Sequence, residues 1–93
     1  MEQKIIKILS EVKHPEINSN LVDLGMIGKI KSQGDSLEVE IKIPFPGISI
    51  KPLLEDLVKK ALKDQGEVSV FFSTMSVSER TNFMQLARNN WAI

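Results

Sequence analysis

Apolar residues recur along this chain with two spacings, one typical of helices and one typical of strands. Near its start they follow one another at intervals of three and four, at Ile5, Ile8, Leu9 and Val12. That spacing places them on one face of a helix. Because Pro15 disfavours helical geometry at the residue before it, we expect this first helix to end near Lys13.

An alternating pattern in the middle of the chain predicts a β-hairpin. Its second strand has apolar side chains at every other position, at Leu37, Val39, Ile41 and Ile43. Its first strand, from about Met26 to Lys31, alternates less regularly, and Gly28 in its middle indicates a bulge or a close backbone approach. The residues Gln33 to Asp35 are typical of a turn, so the two strands should pair antiparallel.

The helical spacing returns after the hairpin, at Ile50, Leu53, Leu54, Leu57, Val58, Ala61 and Leu62. The opposite face carries two pairs, Glu55 with Lys59 and Asp56 with Lys60, each with the acid four residues before its base. We expect Ser49 to be the N-cap of this helix and Gly66 to stop it.

The remainder of the chain predicts a third strand and a last helix. Residues 67–74 alternate as a strand, and Ser76 with Glu79 has the spacing of a capping box. The last helix should run from Val77 to about Asn90, with its inward residues at Phe83, Met84, Ala87 and Trp91.

The predicted order is therefore α-β-β-α-β-α. It is typical of an α+β fold, a two-layer sandwich in which helices pack on one face of a small three-stranded mixed sheet. A helix connects the hairpin to the third strand, so that strand should run parallel to one of the hairpin strands. We expect one domain over residues 1–93.

Composition narrows the possible functions. The 93 residues include 12 basic and 12 acidic side chains, no cysteine and one histidine. A chain without thiols cannot form a disulfide framework, a zinc finger or a cysteine-held iron–sulfur cluster. The zero net charge argues against a protein that binds phosphate backbones, because such binding needs a positive surface.

No targeting or membrane-spanning pattern is visible. Charged residues interrupt the isoleucines of the first ten residues, and no apolar run approaches the ~20 residues that cross a bilayer. We expect a soluble cytoplasmic protein that does not contact membranes.

The residues with catalytic or ligand chemistry are few. His14, Glu16 and Asp23 have metal-ligating side chains, but their number and spacing match no closed metal site. A histidine near a helix end with two solvated carboxylates is the simpler interpretation. Because no nucleophile–base pair and no phosphate-binding loop are present, we expect no enzymatic activity, no metal and no cofactor.

The segment Gly25–Lys31 contains a G-x-x-G pattern followed by lysines. In KH domains such a loop clamps a nucleic-acid backbone, so a small KH-like nucleic-acid-binding module is the alternative hypothesis. The zero net charge and the strand expected after Gly25 favour a tight turn into a strand instead. That strand is a candidate sheet edge, which leaves a homo-oligomer open.

The loop Pro44–Ser49 leads from a strand to a helix. Two prolines and Phe45 make it a rigid, partly apolar edge that suits contact with a protein partner. The free N–H groups of the helix that follows could also bind an anion. Alternatively, the loop only connects a strand to a helix and binds nothing.

Three of these segments together resemble a known family. They are His14-Pro15-Glu16, the run from Leu21 to Gly28 and the loop Pro44–Ser49. Their order and spacing, over about residues 2–75, are similar to the small iron–sulfur cluster assembly factor domain. That domain occurs alone in PaaD-like proteins and ahead of the ATPase domain in Mrp-type carriers. The last helix is also similar to C-terminal helices of some single-domain members.

The chain departs from the family pattern at three places. The pattern has Asp where this chain has His14, Tyr where it has Gly28, and Cys-Pro where it has Ile48-Ser49. The resemblance thus implies the fold and the location of the site but not its thiolate chemistry.

It implies an adaptor in iron–sulfur cluster assembly or metalloprotein maturation that binds protein partners, namely a cluster carrier, a scaffold or a client apoprotein. The candidate partner-binding residues are His14, Glu16, Asp23, Phe45, Pro46, Gly47, Ile48 and Ser49. We expect the last helix to form part of the same face.

Overall fold

The computed structural model describes residues 2–45, 47 and 49–90. Three α-helices, one short 3₁₀ helix and three strands lie within these ranges. In chain order they are α1 Glu2–Leu9, β1 Ile27–Gln33, β2 Ser36–Ile43, α2 Lys51–Ala61, the 3₁₀ helix Lys63–Gln65, β3 Glu67–Thr74 and α3 Val77–Asn89. The predicted order α-β-β-α-β-α is confirmed.

The sheet has β2 at its centre, with β1 antiparallel on one side and β3 parallel on the other. Both predicted pairings are therefore confirmed. Ile27 pairs with Ile41 while Ile30 pairs with Val39, so β1 contains one extra residue beside Gly28. This is the predicted bulge, and it increases the local twist of an edge strand.

The core lies between the sheet and the helices. The alternate apolar residues of β2 are buried, as predicted, at Leu37, Val39, Ile41 and Ile43. The helices contribute buried side chains from Ile5, Leu9, Leu54, Val58, Leu62, Phe83 and Ala87. Because the other face of β2 carries Glu38, Glu40 and Lys42, the helices pack on one face of the sheet and the fold is the predicted two-layer α+β sandwich.

The first helix is shorter than its apolar spacing predicts. It ends at Leu9, not near Lys13, because the backbone pairs with residues 19–21 from the Val12 carbonyl onward. Lys13 forms an isolated antiparallel bridge with Asn20, and the Val12 carbonyl accepts the Leu21 N–H at 3.0 Å. The residues between them form a closed loop that carries His14 and Glu16.

The predicted ends of the second helix are wrong in detail. Ile50, not Ser49, occupies the N-cap position, and no side chain caps the helix there. The helix ends at Ala61, because the chain tightens into the 3₁₀ helix before Gly66. Gly66 has φ +133° and turns the chain into β3. The two predicted salt bridges, Glu55–Lys59 and Asp56–Lys60, are confirmed at 2.8 and 3.1 Å.

The last helix begins with the predicted capping box. Ser76 Oγ accepts the Glu79 N–H at 3.2 Å, and the Glu79 carboxylate accepts the Ser76 N–H at 2.8 Å. Phe83 and Ala87 face the core as predicted, but Met84 does not, since 42% of it is exposed. Trp91 lies outside the described residues.

Candidate functional site

A cleft of about 470 Å³ opens where two loops meet α3. One loop leads from α1 to β1 and carries His14; the other leads from β2 to α2 and carries Phe45. The cleft walls are mostly apolar. Its described lining residues are His14, Glu16, Ile17, Met26, Pro44, Phe45, Gly47, Ser49, Ile50, Phe83, Met84 and Ala87.

Five of the candidate residues chosen from the sequence line this cleft, namely His14, Glu16, Phe45, Gly47 and Ser49. Asp23 does not line it. Its backbone N–H donates to the Asn20 side-chain oxygen at 2.8 Å, and its carboxylate accepts the Asn20 amide N–H at 2.9 Å, so it holds a turn. Pro46 and Ile48 lie outside the described residues.

His14 is the buried polar group of the cleft, with 7% of its surface exposed. Its Nδ1 accepts the backbone N–H of Glu16 at 3.0 Å, which places the proton of the neutral ring on Nε2. Burial lowers the pKa of His14 below 6.5, and the nearby Glu16 carboxylate opposes that shift. At neutral pH the cleft therefore contains a neutral imidazole that can donate one hydrogen bond from Nε2.

The sequence did not identify the individual residues that form the floor and the far wall of the cleft. Met26 is fully buried immediately before β1, and Phe83 and Ala87 face the cleft from α3. The sequence predicts that the last helix shares a face with the His14 loop, but it assigns Phe83 and Ala87 only to the core. Only the packing of α3 against both loops brings these parts together.

A second depression adjoins the cleft and has a different character. Phe45 and Met84 line both, and the second also contains Arg80, Thr81, Gln85 and Arg88. The Arg80 guanidinium lies 5.4 Å from the centre of the Phe45 ring, a cation–π contact that holds both side chains at the boundary. A basic surface on α3 thus borders the apolar cleft.

The opposite face of the sheet contains a polar network. The Glu40 carboxylate accepts the Ser73 hydroxyl at 2.6 Å and the Lys29 backbone N–H at 2.9 Å, and both bonds lower the pKa of Glu40. Lys42 forms a salt bridge with Glu79. That contact, with the capping bonds of Ser76, lowers the pKa of Glu79 to about 2.

This network bears on the nucleic-acid hypothesis. Gly28 lies within β1 against the Glu40 carboxylate, where an added Cβ would approach Oε1 to 2.1 Å. A KH-type loop presents its backbone to phosphates, whereas this segment is a strand with a carboxylate at its glycine. The geometry of Gly25–Lys31 therefore does not support a nucleic-acid clamp.

The donor atoms of the cleft do not suit a cysteine-held iron–sulfur cluster. His14 supplies an imidazole, Glu16 a carboxylate and Ser49 a hydroxyl, and the whole chain contains no thiol. Over residues 2–45, 47 and 49–90, no three His, Asp or Glu side chains are grouped to hold a metal ion. In that same part of the chain, no helix has the length and apolar character needed to cross a bilayer.

Comparison with known proteins identifies relatives of this chain. Residues 2–70 match the family described as "Iron-sulfur cluster assembly protein". An iron-sulfur cluster carrier protein of Deinococcus radiodurans is 34% identical over 62 residues, which cover 67% of this chain but only 18% of that protein. The Fe-S protein maturation auxiliary factor YitW of Bacillus subtilis is 30% identical over 69 residues, covering 73% of this chain and 68% of that protein.

The fold has a close structural counterpart. The crystal structure of a domain of unknown function, DUF59, from Bacillus anthracis superimposes with a TM-score of 0.74 at 20% identity, covering 91% of this chain and 90% of that one. At that identity the likeness concerns the fold alone. The match over residues 2–70, with the α-β-β-α-β-α order, nevertheless leads to one conclusion: this chain belongs to the iron–sulfur cluster assembly protein family.

Proposed function

We propose that this protein is a non-enzymatic adaptor in iron–sulfur cluster assembly or metalloprotein maturation, and that it works in the cytoplasm. It binds a protein partner (a cluster carrier, a scaffold or a client apoprotein) through the cleft between the His14 loop, the Phe45 loop and α3. The cluster itself is cargo that other proteins ligate.

The observation that carries this proposal is the apolar cleft in a family member without a thiol. Phe45 is 47% exposed and Met84 42% exposed at its rim, although both are large apolar side chains. Exposed aromatic and methionine side chains around a concave surface are typical of protein interfaces. The carrier and maturation factor names of the relatives support the pathway, and the missing thiol favours contact over ligation.

The experiment replaces one phenylalanine on each side of the molecule in cells that lack the native gene. Phe45→Ala removes a rim residue of the cleft, and Phe71→Ala removes a side chain of similar exposure, 41%, from β3 away from the cleft. Activities of iron–sulfur enzymes are then measured against those of enzymes without clusters. We expect lower activities of iron–sulfur enzymes in cells with Phe45→Ala. Loss of an aromatic anchor typically weakens partner binding about tenfold.

The matched variant is the control. Phe71→Ala should complement like the wild type, and melting curves of both purified variants exclude loss of folding as the cause. Equal complementation by both variants, or an equal loss in both, would contradict a role for the cleft. In a separate test, incubation with iron and sulfide should leave the purified protein without a stoichiometric cluster chromophore.

A further inference from the structure

We propose that the partner binds with an acidic peptide segment, in which an apolar side chain enters the cleft and a neighbouring carboxylate pairs with Arg80 and Arg88. This inference rests on the proposed function, because it specifies the chemistry of the partner at the same cleft. It comes from the basic surface on α3, which the proposed function does not itself require.

The first observation is where the arginines lie. The chain has only two, Arg80 and Arg88, and both line the depression that adjoins the cleft. They are eight residues apart with Met84 midway, so the three side chains follow one another at i, i+4 and i+8 along one face of α3. An exposed apolar residue thus lies between two guanidinium groups.

The second observation is that no acidic side chain among residues 2–45, 47 and 49–90 lines this surface. Among the described lining residues of the second depression there is no carboxylate, and within the described part of the chain neither arginine forms a salt bridge. Glu79, next to Arg80 in the sequence, is engaged by Lys42 and by the Ser76 N–H. Within the described residues, both guanidinium groups are therefore without a carboxylate partner.

The third observation is that the charges are distributed asymmetrically around the boundary of the two depressions. Phe45 and Met84 lie at the boundary of the two depressions, with Arg80 and Arg88 on one side and His14 and Glu16 on the other. An acidic residue of a bound segment is attracted at the arginine side and repelled by Glu16 at the other. The segment should therefore place its carboxylate toward α3 and its apolar anchor between Phe45 and Met84.

The chemistry favours a carboxylate over a nucleic-acid phosphate backbone. A guanidinium presents a planar fork that matches a carboxylate with two parallel hydrogen bonds. Phosphate backbones bind to extended rows of cations, whereas this protein has zero net charge and only two arginines beside an apolar cleft. A segment with an apolar side chain beside an acidic one can contact the apolar cleft and the two arginines at the same time.

The test selects peptides from a random dodecamer display library on the intact wild-type protein. We expect enriched peptides to combine a large apolar residue with a nearby Asp or Glu. Replacing that acid by its amide should weaken binding about tenfold, and added salt should weaken it in the same direction, as for rim charge pairs. Replacing the apolar residue by serine should abolish binding.

Two charge-reversal variants locate the site. The double variant Arg80→Glu with Arg88→Glu should bind the selected peptides with an affinity lower by about tenfold or more. The control, Lys29→Glu with Lys31→Glu, makes the same change in net charge on exposed residues of β1 and should bind them like the wild type. Melting curves of both establish that they are folded.

The outcomes separate this inference from the proposed function. One outcome is that neutral apolar peptides bind more weakly to Phe45→Ala but equally well to the double arginine variant. That result would refute the acidic segment but not the adaptor function. No enrichment, enrichment of basic peptides, or equal losses in both charge variants also refute the acidic segment, as does single-stranded RNA that displaces the selected peptides. The complementation test with Phe45→Ala and Phe71→Ala decides the proposed function independently.

Discussion

The open face of the sheet and the cleft differ in how far their side chains are bonded within the protein. On the open face of the sheet, the polar groups of Glu40, Lys42 and Ser73 are bonded to other groups of the chain. At the cleft, Phe45 and Met84 remain exposed beside apolar walls. The bonded polar groups of the open face have few hydrogen bonds left to offer a partner, although Phe71 is 41% exposed there. The concave apolar surface of the cleft gains free energy when a partner covers it.

Glu79 connects the two sides. Its carboxylate pairs with Lys42 on the open face and closes the capping box of α3. The same helix supplies Phe83, Met84 and Ala87 to the cleft. The polar network therefore fixes the start of the helix, and the helix in turn presents the wall of the binding surface.

The largest expected effect concerns the floor of the cleft. Met26 is fully buried, so Met26→Ala should lower the free energy of unfolding by about 2–5 kcal/mol through lost contacts and a new cavity. Met84→Ala, at the exposed rim of the same cleft, should cost less than about 1 kcal/mol, as surface substitutions do. Urea denaturation of both variants measures the difference, and equal losses would mean that the floor is not part of the core.

The next effect is expected on the open face. The Cβ of a Gly28→Ala variant would displace the Glu40 carboxylate from the Lys29 N–H and the Ser73 hydroxyl, costing about 1 kcal/mol. In a Glu40→Ala background the same substitution should cost almost nothing. Gly47→Ala is the control at the cleft, because no atom lies within 4 Å of its added Cβ. A double-mutant cycle by urea denaturation measures the coupling; additive costs would show that the two sites are independent.

The salt bridge of Glu79 predicts a pH dependence of stability. The folded pKa of about 2 lies below the ordinary 4.5, so this stabilisation is complete above pH 4.5 and is lost as pH falls through about 2. Glu79→Gln keeps a cap acceptor but removes the charge, so its melting temperature should lie below that of the wild type at neutral pH and approach it near pH 2.

The control for this pH dependence lies on the same face of the sheet. Glu38→Gln removes an exposed carboxylate that forms no salt bridge within the described residues. Thermal melting at a series of pH values should show a smaller difference from the wild type than Glu79→Gln does. A pH-independent gap between Glu79→Gln and the wild type would contradict the ionic contribution of Glu79.

The smallest effect is expected at His14. Its folded pKa is below 6.5, so its neutral form contributes stability above pH 6.5 that is lost as pH falls through the lowered value. The Glu16 carboxylate raises this pKa, so Glu16→Gln should lower the pKa of His14 further. NMR titration of the imidazole protons measures both values, and ¹⁵N shifts should report the proton on Nε2. A pKa at or above 6.5 would contradict a dominant effect of burial on His14.

Much of the fold could be predicted from the sequence, because local rules determine it. The alternation of Leu37 to Ile43 and the capping box of Ser76 and Glu79 each involve residues close in the chain. The end of α1 could not be predicted so well. It depends on the bridge between Lys13 and Asn20, which competes with the last turn of the helix and leaves no local signal.

The candidate site was predictable in part for the same reason. The His14 and Phe45 loops were visible as motifs, and both line the cleft. Asp23 belonged to the same motif pattern but is engaged by Asn20 instead. Met84 has a helical position next to the core, and only the packing of α3 decides that it lies at the rim.

The sequence by itself determined the α+β class, the order of the elements and the absence of thiolate chemistry, because periodicity and composition belong to the chain before it folds. Only the tertiary structure decided which residues of the candidate motifs share one surface, and it excludes Asp23 from that surface. Residues as far apart as His14, Phe45 and Arg88 meet around two adjoining depressions because α3 packs against both loops. The side-chain contacts that position a helix are non-local, so no local pattern encodes them.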